Sequence, residues 1–221
     1  MRSLAHRRRS CPHELSALTA ELLDRSVAVQ LALSGAIEAV IGRDAGPAAA
    51  AIAPYVTLPP LIVTDQPLAV DVRMVRAALR IAAACERVSD HAVSIARSAQ
   101  RLLGRPPAAA AVKLRELCRH ARDRLARAMD AYARGDLAQA QEVARANGAI
   151  APLRRELLQT ILHVMEDPGL VGVGTELLAV SGHLEGVADI ATAVACQVVA
   201  LLEETTTAHI RWEAAGHAAL N

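Results

Sequence analysis

Phenylalanine is absent from these 221 residues, Trp212 is the one tryptophan, and there are two tyrosines. A core without aromatic bulk must be closed by alanine, leucine, valine and isoleucine, which suits long helices packed at short distance. The four cysteines, Cys11, Cys85, Cys118 and Cys196, fall at no metal-ligand spacing. They read as small buried hydrophobes in a reducing compartment. No uninterrupted apolar stretch approaches the roughly 20 residues that cross a bilayer, and the best candidate, 177–202, carries Glu185 and Asp189. No membrane span is read. Arg2, Arg7, Arg8 and Arg9 are followed by Cys11, Pro12, His13 and Glu14, not by an apolar segment, so no signal peptide is read and the expected location is the cytoplasm. A net charge of +1 argues against a body that binds nucleic acid generically, which needs a clustered basic footprint. The basic run at 2–9 reads as a solvated tail, with contact to nucleic acid or acidic lipid as the alternative. The sequence also has no Gly-rich phosphate loop, no nucleophile elbow, no His-Glu-x-x-His and none of the Glu-x-x-His motifs of ferritin-like di-iron bundles.

What is present is a duplication. Glu86-Arg-Val-Ser-Asp90 returns as Glu185-Gly-Val-Ala-Asp189, and the echo extends through Ala92 with Ala191 and Ala96 with Ala195. Leu15, Leu18, Leu22, Val29, Leu33, Ala36 and Val40 keep the three-and-four spacing of a long amphipathic helix over 12–41, stopped by Gly42 to Pro47. A short helical piece at 48–53 is followed by Pro54, Pro59, Pro60 and Pro67, which cannot all lie inside a helix. A helix over 68–103 ends at Gly104-Arg-Pro-Pro107, the expected repeat boundary. Leu114, Leu117, Ala121, Leu125, Ala128 and Tyr132 repeat the first pattern. A helix over 137–166, bent at Pro152, and a last helix to about 204 follow, divided by Asp167-Pro-Gly169. Asp44 and Asp136 stand 92 residues apart while Glu86 and Glu185 stand 99 apart. Repeat one is therefore shorter by about two helical turns, placed in segment 54–67. The expected fold is all-α, with two three-helix bundles side by side, 12–104 and 107–204, between flexible tails at 1–11 and 205–221.

An i, i+4 spacing puts both carboxylates of a pair on one helix face, where like charges repel by roughly 0.2–0.5 kcal/mol. Glu86 and Asp90 fall in line with Leu79, Ala83 and Val93, and Glu185 and Asp189 between Leu178 and Cys196, so both pairs are expected at the inter-helix seam. There they need a cation, an arginine or water, and oxygen-only clusters suit magnesium, calcium, manganese or iron. A solvated or arginine-paired face is the plainer reading. Arg73, Arg76, Arg80 and Arg87 form a second stripe about a quarter-turn away, a docking face for an acidic partner or phosphate, or a solvated basic face.

Gln66-Pro-Leu-Ala-Val-Asp71-Val-Arg73 followed by Glu86-Arg-Val-Ser-Asp90-His-Ala-Val-Ser-Ile-Ala96, with Glu166-Asp-Pro168 before the last helix, resembles the PhoU family of phosphate-transport accessory proteins across nearly the whole chain. The resemblance implies two three-helix repeats. It also implies a homodimeric, cytoplasmic regulator without catalytic turnover. Such a protein couples a phosphate ABC transporter, through its ATPase subunit, to a phosphate-sensing histidine kinase, represses the phosphate-starvation response, and meets the membrane only through partners. Asp71, Arg73, Arg76, Arg80 and Arg87 are then the expected partner-binding residues. Family members bind iron or other metals through acidic motifs, which implies Glu86, Asp90, Glu185 and Asp189 as metal ligands. The family's companion Asp-x-x-x-Asp motifs are missing, because Tyr55 and Asn147 stand at those positions, which leaves a mononuclear or weak site, or none. Gly186 replaces the family's arginine, so partner contacts are expected mainly on repeat one. A metal-binding helical protein with a storage or enzymatic role is the alternative.

Overall fold

The computed structural model describes residues 2–42, 69–102, 108–146 and 150–218, with side chains described at 16–42, 72–102, 108–146 and 150–203. The short helix expected at 48–53, the proline-rich segment 54–67 and the boundary at 104–107 lie outside the described residues. The elements are α1 (Arg2–Gly42), α2 (Ala69–Arg101), α3 (Ala108–Arg134), α4 (Leu137–Arg145), α5 (Ile150–Val164), a 3-10 turn (Pro168–Leu170) and α6 (Val171–Ala218), with no strand among the described residues. Residues 2–11 and 205–218, expected as tails, are instead helical continuations of α1 and α6. Neither stretch contains a glycine or proline before Gly216, so no backbone signal stops the helix there.

Turn chemistry sets the ends of the second repeat's helices. Gly135 adopts φ of 64°, a left-handed conformation that glycine enters without steric cost. Asp136 then caps α4, its carboxylate accepting from the Gln139 amide at 2.9 Å. The middle helix is divided, not merely bent at Pro152. α4 ends at Arg145 and α5 begins at Ile150, which puts Pro152 in the first turn of α5. A proline is tolerated there because first-turn amides lack helical partners anyway. Asp167 caps the 3-10 turn by accepting from Gly169 at 2.8 Å.

Within repeat two, α3 runs antiparallel to α4 and α5, as Arg127–Glu142, Arg124–Ala146 and Lys113–Glu156 show in sequence, and α5 runs antiparallel to α6, as Arg154–Glu185 and the contact of Gly174 with Ile161 and Met165 show. That is an up-down-up triplet. Repeat one contributes α1 packed on α2, and the repeats join where α2 packs on α6 and α1 on α3. The 99-residue echo survives as a shared burial pattern: Ile81 with Val180, Cys85 with Leu184, Val88 with Val187, Ala92 with Ala191 and Ile95 with Val194 are all buried. The 92-residue echo does likewise for Leu22 with Leu114, Val29 with Ala121, Leu33 with Leu125 and Ala36 with Ala128. All belong to one continuous core shared by both repeats.

The segments Ser16–Gly42 and Pro168–Glu203 reach the length and mean hydropathy of a membrane-crossing helix, 1.2 and 1.6, but half of each window is buried inside the protein. Their apolar faces form the core. Cys85 and Cys118 are buried, with thiols pushed up to about 11 chiefly by burial, and are inert fillers. Cys196 departs from the expectation and is exposed.

Candidate functional site at the junction of the repeats

Three contacts give the register of the junction: Arg80 with Gln197, His91 with His183, and Arg101 with Glu176. Rising numbers on α2 meet falling numbers on α6, so the helices are antiparallel and segments 86–90 and 185–189 come level with one another. The buried positions of these two segments are small or apolar: Cys85, Val88, Ser89 and Ala92 of α2 and Val187, Ala188 and Ala191 of α6. The four carboxylates do not line the seam as expected. Glu86, Asp90 and Asp189 are exposed and Glu185 is half-buried. One residue of helix turns a side chain by about 100°, enough to move position 86 off the face that buries 85, 88, 89 and 92.

In repeat two the acidic pair has protein cations beside it. Arg154 of α5 pairs with Glu185 at 3.0 Å. Arg124 of α3 lies close enough to Asp189 to feel its charge, while burial pushes its guanidinium pKa down. Arg124 also donates through Nη2 to the Ala146 carbonyl and through Nη1 to Thr192 Oγ1 at 3.4 Å. It lines a cavity of about 190 Å³ with His120, Asp123, Arg127, Val143, Ala146 and Ile150. Among the described residues no group of three or more His, Cys, Asp or Glu is placed to hold a metal ion. The donor set around Glu185 and Asp189 does not fit a divalent cation, because it offers only two carboxylates, one already paired with Arg154 and the other exposed within the field of Arg124.

His91 follows Asp90 without a counterpart after Asp189, where Ile190 stands, and His183 lies outside both acidic motifs. The fold brings them together across the junction, Nδ1 to Nδ1 at 3.1 Å, with ring centroids 5.3 Å apart and planes tilted by 58°. Such a contact is a hydrogen bond when one ring carries its proton on Nδ1 and the other on Nε2. Gly186 explains itself here: a Cβ at that position would stand 2.8 Å from both Cε1 and Nε2 of His91. The glycine that replaces an arginine makes room for the other repeat's imidazole. Gly186→Ala is expected to gain about 1 kcal/mol of helix propensity against an overpacking cost of about 1–3 kcal/mol. Urea unfolding should therefore show the substitution stabilising a His91→Ala background but not the native one, and equal effects in both would refute the packing role.

Burial is the main cause holding both imidazoles below their usual value of 6.5. His183 and Arg87 add to it at His91, with Asp90 opposing, and Arg101 adds to it at His183. Below the unfolded value the unfolded chain binds more protons than the folded one, so stability rises with pH there. The contribution of the neutral pair is complete above about pH 6.5 and is lost as pH falls through the lowered folded values. Urea unfolding across this range should show the loss on acidification, and a His91→Gln/His183→Gln variant should flatten that part of the profile.

The arginine stripe is on the outside. Arg76, Arg80 and Arg87 are exposed and Arg73 is half-buried, with Arg80 donating to Gln197 at 2.8 Å. Asp71 lies on α2, but its side chain is outside those described. Val72 and Leu79, 48% and 45% exposed, interleave with the arginines.

Comparison with known proteins agrees with this architecture. The PhoU domain family matches residues 60–99 and 114–198. The phosphate-specific transport system accessory protein PhoU homolog of Caulobacter vibrioides is 32% identical over 209 residues, covering 86% of this chain and 88% of that protein. The homolog of the same description from Clostridium acetobutylicum is 28% identical over 144 residues, covering 64% and 66%. In structure, the chain is similar to crystalline PhoU from Pseudomonas aeruginosa, with a TM-score of 0.73 at 22% identity, covering 87% of this chain and 99% of that one. The phosphate transport system regulatory protein PhoU from Streptococcus pneumoniae gives 0.58 at 22% identity, covering 87% and 93%. With the duplicated burial pattern and the matched motifs on α2 and α6, these likenesses show that the chain belongs to the PhoU family.

Proposed function

We propose that this chain is a non-enzymatic accessory protein of phosphate transport, acting in the cytoplasm. In this reading it is an adaptor between the ATPase subunit of a phosphate ABC transporter and a phosphate-sensing histidine kinase, and it holds down the phosphate-starvation response. The observation that carries the reading is the exposed face of α2, where Arg76, Arg80 and Arg87 alternate with Val72 and Leu79. Apolar anchors amid positive charge suit an acidic protein surface, since charge steers and orients the encounter while buried apolar groups hold it. The accessory role in phosphate-specific transport of the relatives from Caulobacter vibrioides and Clostridium acetobutylicum supports it. Adaptor action requires only that phosphate status change the relative affinity for the two partners. Self-association as a homodimer belongs to the same proposal.

A pulldown with the full chain against both partners tests this, together with a phosphate-starvation reporter in a deletion strain. Binding to at least one partner and a reporter that stays on in phosphate-replete medium are the expected results. Binding to neither, with a normal reporter, removes the adaptor reading.

A further inference from the structure

We infer that the acidic motif of repeat two is closed to divalent metal because Arg124 and Arg154 are its resident counter-cations. The two arginines reach the motif from different helices. Arg154 comes from α5 and its guanidinium stands 3.0 Å from the Glu185 carboxylate. Arg124 comes from α3, acts on Asp189 through its charge, and is fixed by the Ala146 carbonyl and Thr192 Oγ1. Thr192 is one helical turn beyond Asp189 on α6, so that hydrogen bond holds the guanidinium on the face that bears the carboxylate.

The duplication supplies a comparison inside the same molecule. By the 92-residue register, the position of Arg124 corresponds in repeat one to Ala32, which is completely buried. Repeat two therefore carries a cation where its sibling carries a methyl group. A guanidinium stays protonated at every physiological pH and presents planar donors that match a carboxylate, so it serves as a permanent counter-charge. A divalent ion entering here must displace Arg154 from Glu185 and then sit beside the positive charge of Arg124. Both steps oppose binding, and the donors left to it are two carboxylates on one face. In repeat two the counter-charge is thus covalently tethered.

The test uses the full chain stripped with chelator and titrated with manganese(II), free ion being followed by its electron paramagnetic resonance signal. Wild type and Glu185→Gln/Asp189→Asn are expected to give superposable isotherms, since Glu185 holds Arg154 and Asp189 lies in the field of Arg124. Loss of a bound equivalent in the double variant would overturn the inference. Thermal melting in chelator and in excess manganese(II) gives an independent readout that folded wild type alone can supply. Wild type should melt at the same temperature in both, and a metal-induced rise that Glu185→Gln abolishes would also overturn it. Arg154→Met should acquire a manganese-dependent rise, absent again in Arg154→Met/Glu185→Gln. If neither folded Arg154→Met nor folded Arg124→Met/Arg154→Met shows such a response, the guanidinium groups are not what excludes the ion.

Discussion

Leu125→Ala is expected to lower unfolding free energy by about 2–5 kcal/mol and to do so in a single transition. Leu125 is completely buried on α3, the helix that meets α1, α4, α5 and α6. The helices packed on α3 must close around the lost methyl groups, and helices already held at close spacing by alanines leave little room to collapse inward, so a cavity remains. For a chain of this size the melting temperature should fall by about 2–4 °C per kcal/mol. Leu33→Ala, its counterpart in repeat one and equally buried, should behave alike, because both leucines belong to one core that crosses the junction. Urea unfolding followed by helical signal checks this. Two separated transitions, each shifted by only one of the substitutions, would show that the repeats fold independently and that the shared core is not cooperative.

Reversing charge on the α2 face, as Arg76→Glu/Arg87→Glu, is expected to weaken binding to the transporter ATPase or the histidine kinase by about 10- to 100-fold at physiological salt. Both positions are exposed, and thermal melting of each variant separates any change in stability from the change in binding. Two reversals convert attraction into repulsion at an acidic partner surface. Most of the change should appear in the association rate and shrink as salt is raised, because screening acts over about 8 Å at physiological ionic strength. Surface plasmon resonance at two salt concentrations measures this. Unchanged affinity with an intact fold would place the docking face elsewhere and remove the observation on which the proposed function rests.

Much of the scaffold was legible in the pattern of residues. The three-and-four spacing of Leu22, Val29, Leu33 and Ala36 marks the buried face of α1, and the same spacing at Leu114, Ala121, Leu125 and Ala128 marks that of α3. Gly135 and Asp136 announce their turn through backbone conformation and capping, both local properties. The acidic pairs were harder. Glu86 and Asp90 look like seam residues when set beside Leu79 and Val93, yet Leu79 is itself 45% exposed and Val93 only half-buried. The apolar alignment that suggested burial was the edge of the buried face.

Periodicity, duplication and turn signals by themselves determined that this chain is helical and twofold repeated, because those features depend on neighbours within a few residues or on self-similarity along the chain, while the family resemblance rested on the motifs at 66–73 and 86–96. Only the tertiary structure decided what faces the acidic motifs and what lies between the repeats. Arg154 and Glu185 are 31 residues apart, Arg124 and Asp189 are 65 apart, and His91 and His183 are 92 apart. No local pattern encodes which of many arginines will neutralise a given carboxylate, or that a glycine on one helix clears space for an imidazole on another. Those outcomes follow from the antiparallel packing of α2 on α6 and from the placement of α3 and α5 against α6.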